Sequence, residues 1–248
     1  MLKLKDYIKE EKNVHMEHLE DLIFNEGVDG TRKAINFLQD LRDMLAGHSS
    51  SKMTASVKRD GAPAIFAGTD PRDGKFFIAK KGIFNKNPKI YKTASEIDAD
   101  VSGDLADKFK VALAEFKKLN IKGIIQGDLL FTNDLKIETI EGNRYVTFHP
   151  NTIVYAVPYE DSETLRKAKI GVVWHTTYSG SSFETLTASF GKPIVPKLTH
   201  TPSVWMDDAT YKDLSGTATF TAAETKQLTS ILSDAGKLFQ SIPSKVIN

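Results

Sequence analysis

Apolar residues recur at helical spacing near both ends of the chain and at strand spacing between them. Leu19, Leu22 and Ile23 predict a helix over 16–24, after which Gly27 and Gly30 break the pattern. Ile35, Leu38, Leu41 and Leu45 predict a second helix over 31–46, with Gly47 suited to its C-terminal cap. Extended runs at 53–58, 63–68 and 75–80 predict strands. The last two are joined by Asp70-Pro71-Arg72-Asp73-Gly74, a strong hairpin-turn sequence. Leu105, Phe109, Ala112, Leu113 and Phe116 share one face of a helix from about Asp104 to Leu119, with Asn120 at its end. Residues 123–131 read as a buried strand, and further strands are expected at 135–140, 144–149, 151–157 and 170–177. Ser, Thr, Gly and Pro crowd 180–220 and leave that part without a readable element. Thr221-Ala222-Ala223-Glu224 has capping-box spacing and opens a last helix through about Phe239, with Leu228, Ile231, Leu232, Ala235 and Leu238 facing inward.

Helices flanking antiparallel strands make this an α+β protein. No stretch reads as a linker, so a single domain over 1–248 is expected. Its parts are a helical 1–50, a core at about 51–180 and a less regular 181–248. An apolar content of 40% and a charged content of 26% belong to an ordinary globular chain. No apolar run approaches membrane-spanning length, and the charged N-terminus does not suit a secretory signal. Cysteine is absent, which excludes disulfides and thiolate metal sites and agrees with a cytoplasmic setting. With a net charge of +1, an anionic partner must be sought in local clusters.

Three such features stand out. Lys58-Arg59-Asp60-Gly61 places a lysine at a strand end, followed by an acid and a glycine. Asp60-Gly61 also suits a plain turn, although Asp70–Gly74 supplies a stronger one nearby. Lys75, Lys80, Lys81, Lys86, Lys89 and Lys92 form a run without an acid, interleaved with Phe76, Phe77, Phe84 and Tyr91. That composition suits a nucleic-acid backbone or a triphosphate, and equally an exposed lysine-rich loop. Asp128 interrupts an apolar strand, where an acid needs a partner or a role. His15 and His18 stand three apart with no third ligand in view, so zinc is not expected. His149 and His175 lie on expected strands, and no Ser/His/Asp arrangement or phosphate-cradling glycine loop is present.

The order of these features resembles the DNA/RNA ligase and mRNA-capping superfamily of covalent nucleotidyltransferases. Within it, the T4-like phage RNA ligases are most similar. The N-terminal half also looks like an uncharacterised T4-like phage protein family carrying the same Lys-x-Asp-Gly sequence. The resemblance implies a ligase-type adenylation domain, ATP, and Mg²⁺ or Mn²⁺. Lys58 would be the nucleophile that forms a lysyl-nucleotide phosphoramide. Asp60 would hold the ribose or order the loop, Gly61 would let backbone approach the nucleotide, and Arg59 would join the nucleotide-binding residues. Ala79-Lys80-Lys81-x follows one hairpin later, where the superfamily has a basic motif. Lys80 or Lys81 would bind phosphates, with Lys81 at the usual arginine position. Asp128 would organise the metal at the α-phosphate. Tyr155 or Trp174 would stack on adenine, although each also suits a core position.

The resemblance covers roughly residues 50–177 and then departs. Gly171-Val172-Val173-Trp174-His175 has the Gly-Val-Val core of a later motif but histidine where that motif carries lysine. No OB domain is recognisable after it. Two expectations follow: a truncated chain, or a divergent member with weakened activity. The expected function is an ATP-dependent ligase-like nucleotidyltransferase that adenylylates a nucleic-acid 5′-phosphate, RNA ahead of DNA. Guanylyl transfer is the nearest enzymatic alternative. A non-catalytic phage nucleic-acid-binding protein of the same fold, in the host cytoplasm, is the rival from another class, and a self-associating phage assembly protein is the third.

Overall fold

Both ends of the chain meet in one compact unit of helices, and the strand-rich middle forms a second unit. The structure, a computed structural model, describes residues 19–47, 59–209 and 220–247. In chain order the elements are α1 (Asp21–Leu45), β1 (Ala64–Thr69), β2 (Phe76–Ala79), α2 (Ala94–Asp100), α3 (Gly103–Phe116), β3 (Ile124–Phe131), β4 (Lys136–Ile140), β5 (Asn143–Phe148), β6 (Tyr155–Pro158), α4 (Glu163–Lys167), β7 (Ile170–Ser179), β8 (Thr187–Phe190), β9 (Val204–Asp208), α5 (Ala222–Ser241) and α6 (Ser244–Ile247). The strand expected at 53–58, its terminal Lys58, and the pair His15 and His18 lie outside the described residues.

In the helical unit, the glycines expected to separate two helices lie inside α1. Gly27 takes a positive φ of 56° and bends the helix there. Gly30 stays helical and is packed against the bent-back first turns, where a Cβ would fall 1.8 Å from the Leu22 carbonyl oxygen. α5 begins as expected, on a capping box of Thr221 and Glu224. Its inward face is narrower than the periodicity suggests. Leu232 is buried, whereas Ile231 and Leu238 are exposed, because a pair of helices offers only one seam for burial.

The larger unit is built on a six-stranded sheet in the order β2-β1-β3-β7-β8, with β9 pairing beside β7. Every pairing is antiparallel except β7 with β9. A second, three-stranded antiparallel sheet runs β4-β5-β6. The α+β reading therefore holds. The hairpin turn at 70–74 holds too, stapled by Arg72 and Lys92 on the buried Asp70 carboxylate. Residues 151–154, expected to be strand, are loop, and β6 starts only at Tyr155. β8 and β9 lie in the stretch that could not be read, and α2 starts on an unanticipated capping box of Thr93 and Glu96. Among the described residues, no helix is long and apolar enough to cross a membrane.

Alternation divides the large sheet into two faces. Ile65, Ala67, Ile78, Ile125, Leu129, Val172 and Trp174 face α3 and its Phe109, Ala112 and Phe116, forming the main core. On the other face Leu130, Phe131 and Val173 pack against Val146 and Phe148 of β5, forming a second core between the sheets. Phe116 is fully buried, with its ring 5.2 Å from that of Trp174 in an edge contact. Phe116→Ala should cost about 3–5 kcal/mol, read as a lower urea midpoint at unchanged slope. A loss below about 1 kcal/mol would show that this contact does not anchor α3 to the sheet.

Candidate functional site

Residues 59–61 run into β1 along the end of β3, and each grips a different element. Gly61 N–H donates to the Arg59 carbonyl at 2.8 Å, so Asp60 forms the apex of a tight three-residue turn. Ala62 N–H then donates to Leu129 O at 2.9 Å, and Leu129 N–H donates to Pro63 O at 3.1 Å. This pairing presses Gly61 onto β3. A Cβ on Gly61 would lie 2.5 Å from Asp128 Cβ and 2.8 Å from Leu129 O, so only glycine fits.

Asp60 turns away from the sheet toward the loop ahead of β6. Its carboxylate accepts from Asn151 Nδ2 at 2.8 Å, Thr152 N–H at 2.7 Å, the Thr152 hydroxyl and Ile153 N–H at 3.1 Å. The Thr152 hydroxyl and N–H, with Asn151, hold this carboxyl well below the usual range for aspartate. Asp60 N–H donates to the Tyr155 hydroxyl at 3.1 Å. The Tyr155 ring stacks on Phe148, with centroids 5.1 Å apart and planes at 11°. Of the two roles expected of Asp60, ordering a loop is the one its contacts serve.

Asp128 sits where a bulge interrupts the pairing of β3 with β7. Gly127 allows that bulge to close, since a Cβ there would meet Val173 O at 2.5 Å and the Trp174 ring at 2.7 Å. His175, the extra residue of the bulge, brings Nε2 to 3.8 Å from Asp128 Oδ1. Its Nδ1 lies 2.7 Å from Thr176 Oγ1. Asp128 pairs with Val173, and Val173 with Asp207 of β9, so both acids stand in one row on one sheet face. Arg59 reaches Asp207, Nη2 to Oδ2 at 3.5 Å, while its buried Nε has no hydrogen bond among the described residues. The sequence reading missed Asp207, because β9 was not recognised as a strand.

Arg59, Asp60, Gly61, Asp128 and Tyr155 are thus brought together, with His175 and Asp207 added. Trp174 is not a base platform. It is fully buried on the helical face of the sheet, and its indole N–H has no hydrogen-bond partner among the described residues. Lys80 points to that helical face as well. It lies 3.4 Å from Asp100 and 6.0 Å from the centre of the Tyr91 ring. Lys81 is exposed and in no ion pair among the described residues, at the start of a single 3-10 turn that carries Phe84 to the rings of Phe66 and Tyr178. The lysine run is less cationic than its sequence. Asp100 takes Lys80 and Lys89, and Asp70 and Asp73 share Lys92. No group of three or more His, Asp or Glu suited to a metal occurs among the described residues. Asp128 alone still fits Mg²⁺, an ion commonly held by one or two carboxylates plus substrate phosphates.

A family model described as "Family of unknown function (DUF6267)" matches residues 13–248, and the chain belongs to that family. No curated protein and no solved structure matches it.

Because the folded Asp60 pKa lies below the ordinary value near ~3.9, its carboxylate supports the fold at every pH above that value. The contribution shrinks as the pH falls below that value, where the unfolded chain takes up the proton first, and is gone below the folded pKa. A carbon-detected NMR titration should find Asp60 still ionised where free aspartate is half protonated, at about pH 4. In Asp60→Ala, the Thr152 and Ile153 amides should exchange at least about tenfold faster at neutral pH. Unchanged exchange would mean that something other than Asp60 holds this loop.

Proposed function

We propose that this member of a family of unknown function is a covalent nucleotidyltransferase of the ligase type, in which Lys58 takes AMP from ATP and passes it to a nucleic-acid 5′-phosphate. One observation carries the reading: Gly61 packs directly on Asp128. Lys58 precedes Gly61 by three positions, at most about 11 Å of chain, so the motif and the strand acid share one neighbourhood by covalent reach. Arrangement supports it further. The motif leads into a strand paired antiparallel on both sides, and a second, antiparallel sheet covers part of the face that bears Asp128.

In the first step the neutral Lys58 amine attacks the α-phosphorus of ATP. A P–N bond forms, the bond to the bridging oxygen breaks and pyrophosphate leaves. In the second, an oxygen of the 5′-phosphate attacks the same phosphorus, the P–N bond breaks and the amine is released. A divalent cation beside Asp128 would supply charge neutralisation at the phosphates. Arg59, drawn only loosely to Asp207, has guanidinium donors to offer a phosphate, and exposed Lys81 offers a second cation. Tyr155, half-buried with one ring face against Phe148, is the aromatic that would stack on the base. RNA stands ahead of DNA on resemblance. His175 in place of a lysine favours the second reading, a nucleic-acid-binding protein of this fold without transfer activity.

Incubation with α-labelled ATP and Mg²⁺ or Mn²⁺, followed by denaturing electrophoresis, should give a labelled chain that Lys58→Ala abolishes. Asp128→Asn should lower the labelling rate by at least about a hundredfold while the chain stays folded. No label with ATP or GTP in either metal would overturn transfer and leave binding. Label that survives Lys58→Ala would overturn the assignment of the nucleophile.

A further inference from the structure

Two arginines from separate elements converge on one tyrosine, away from the site described above. The guanidinium carbon of Arg144, on β5, lies 4.0 Å from the centre of the Tyr159 ring, and that of Arg166, on α4, lies 4.2 Å from it. Tyr159 packs against the core between the two sheets and is held in place by that contact. Arg166 is fixed further: its Nε donates to the hydroxyl of fully buried Ser162 at 3.0 Å, and its Nη1 donates to the Tyr159 hydroxyl at 3.2 Å. Both arginines are exposed.

Neither guanidinium makes an ion pair among the described residues, although acids are at hand. Glu160 and Asp161 follow Tyr159, and Glu163, paired with Lys167 at 2.5 Å, acts on Arg166 only through space. Two like charges gathered on one ring repel each other, and an anion between them would relieve that cost. Stacking occupies the flat face of a guanidinium, and with Nε and Nη1 of Arg166 spent on Ser162 and Tyr159, its Nη2 is the edge left to grip phosphate. All side-chain donors of Arg144 remain unused by the described residues.

Tyr155 and Val157 of β6 pair with Phe148 and Val146 of β5. Tyr159 follows directly on β6, opening a 3-10 turn four residues beyond Tyr155, at most about 13 Å at strand rise. The arginine pair therefore lies one short strand away from the Asp60 turn, a distance that a few nucleotides span. We propose that Arg144 and Arg166, set on Tyr159, hold the phosphodiester backbone of the nucleic acid whose 5′-phosphate reaches Asp128. This rests on the ligase-type reading for the identity of the strand, and on the arginines alone for its anionic character.

The test uses the full chain and a fluorescent, 5′-phosphorylated single-stranded RNA, with anisotropy followed from about 0.05 to 0.3 M salt. The double variant R144Q/R166Q should bind at least about tenfold more weakly and lower the slope of log affinity against log salt by about 1–2. R144K/R166K keeps both charges but loses the planar stack, so it should retain the slope and lose part of the affinity. Labelling of Lys58 by ATP should be unchanged in both variants. Unchanged affinity and slope in the glutamine variant, or no RNA binding by the native chain, would overturn the proposal. So would displacement of RNA by millimolar inorganic phosphate or by polyglutamate as readily as by competitor RNA, which would mark a free-anion or acidic-protein site. Absence of label with the expected fall in slope would overturn the ligase reading and leave the backbone grip standing.

Discussion

Asp60 stands just ahead of β1, and its carboxylate gathers the side-chain amide of Asn151, the hydroxyl and N–H of Thr152 and the N–H of Ile153. Those donors belong to the loop that enters the small sheet, whereas Asp60 belongs to the segment that enters the large one. The same residue's N–H is bound to Tyr155, the first residue of β6. Without this carboxylate two loop amides would lose their acceptor, and the turn at 59–61 would keep only its contacts to β3 and β9 and the single hydrogen bond to the Tyr155 hydroxyl. The placement of both sheet entrances thus depends on one ionised side chain. It also explains why 151–154 is not a strand despite its apolar residues. Its amides point at Asp60 instead of at a neighbouring strand, and Ile153 and Val154 are left exposed.

A second constraint follows from the first. With the turn fixed, Gly61 must pass β3 at contact distance, and Gly127 must let Trp174 close the bulge behind it. Each glycine is dictated by a named atom, so substitutions at either position act on the spacing between motif and strand. Asp128 then lies on the face opposite Trp174, beside His175, with Asp207 farther along the same row. Acids on one row with an arginine reaching across them make a polar floor under the covering sheet. The neighbouring Asp208 shows how locally the roles divide. It is buried and accepts from the Ile194 and Val195 amides, a purely structural task, one residue from Asp207.

Much of this was legible in the sequence, for reasons that can be stated residue by residue. The turn at 70–74, the helix carrying Phe109 and Phe116, and the strand around Asp128 are local patterns that tertiary contacts reinforce. The acid in that strand drew notice because an isolated carboxylate among apolar neighbours is costly wherever it lies, and the fold sets it beside Gly61 and His175. Trp174 was ambiguous because alternation gives a strand residue two faces, and the bulge at His175 sets which of them it takes. β9 was hidden because Asp207 and Asp208 break its apolar run and because parallel pairing with β7 leaves no turn signal. The expectation for α5 erred differently. Helical periodicity shows which residues share a face but not how wide a partner that face will meet.

The lysine run and the arginine pair invert their apparent importance once folded. Between 75 and 92 the sequence shows six lysines and no acid. Yet Asp70, Asp73 and Asp100 neutralise Lys80, Lys89 and Lys92 from outside that window. Around Asp100 the arrangement is mutual: Lys89, Tyr91 and Lys80 hold its carboxyl far below the usual range. Arg144 and Arg166, twenty-two residues apart and unremarkable in the sequence, end up on one ring and in no ion pair among the described residues. Cation counts along a chain therefore measure little about anion affinity. What matters is which cations the fold leaves without a counter-charge and fixes in place. By that measure Lys75, Lys81 and Lys86, exposed and in no ion pair among the described residues, can add salt-dependent attraction but little geometry. The arginine pair has both the charge and the rigidity, at the end of the strand that begins on Asp60.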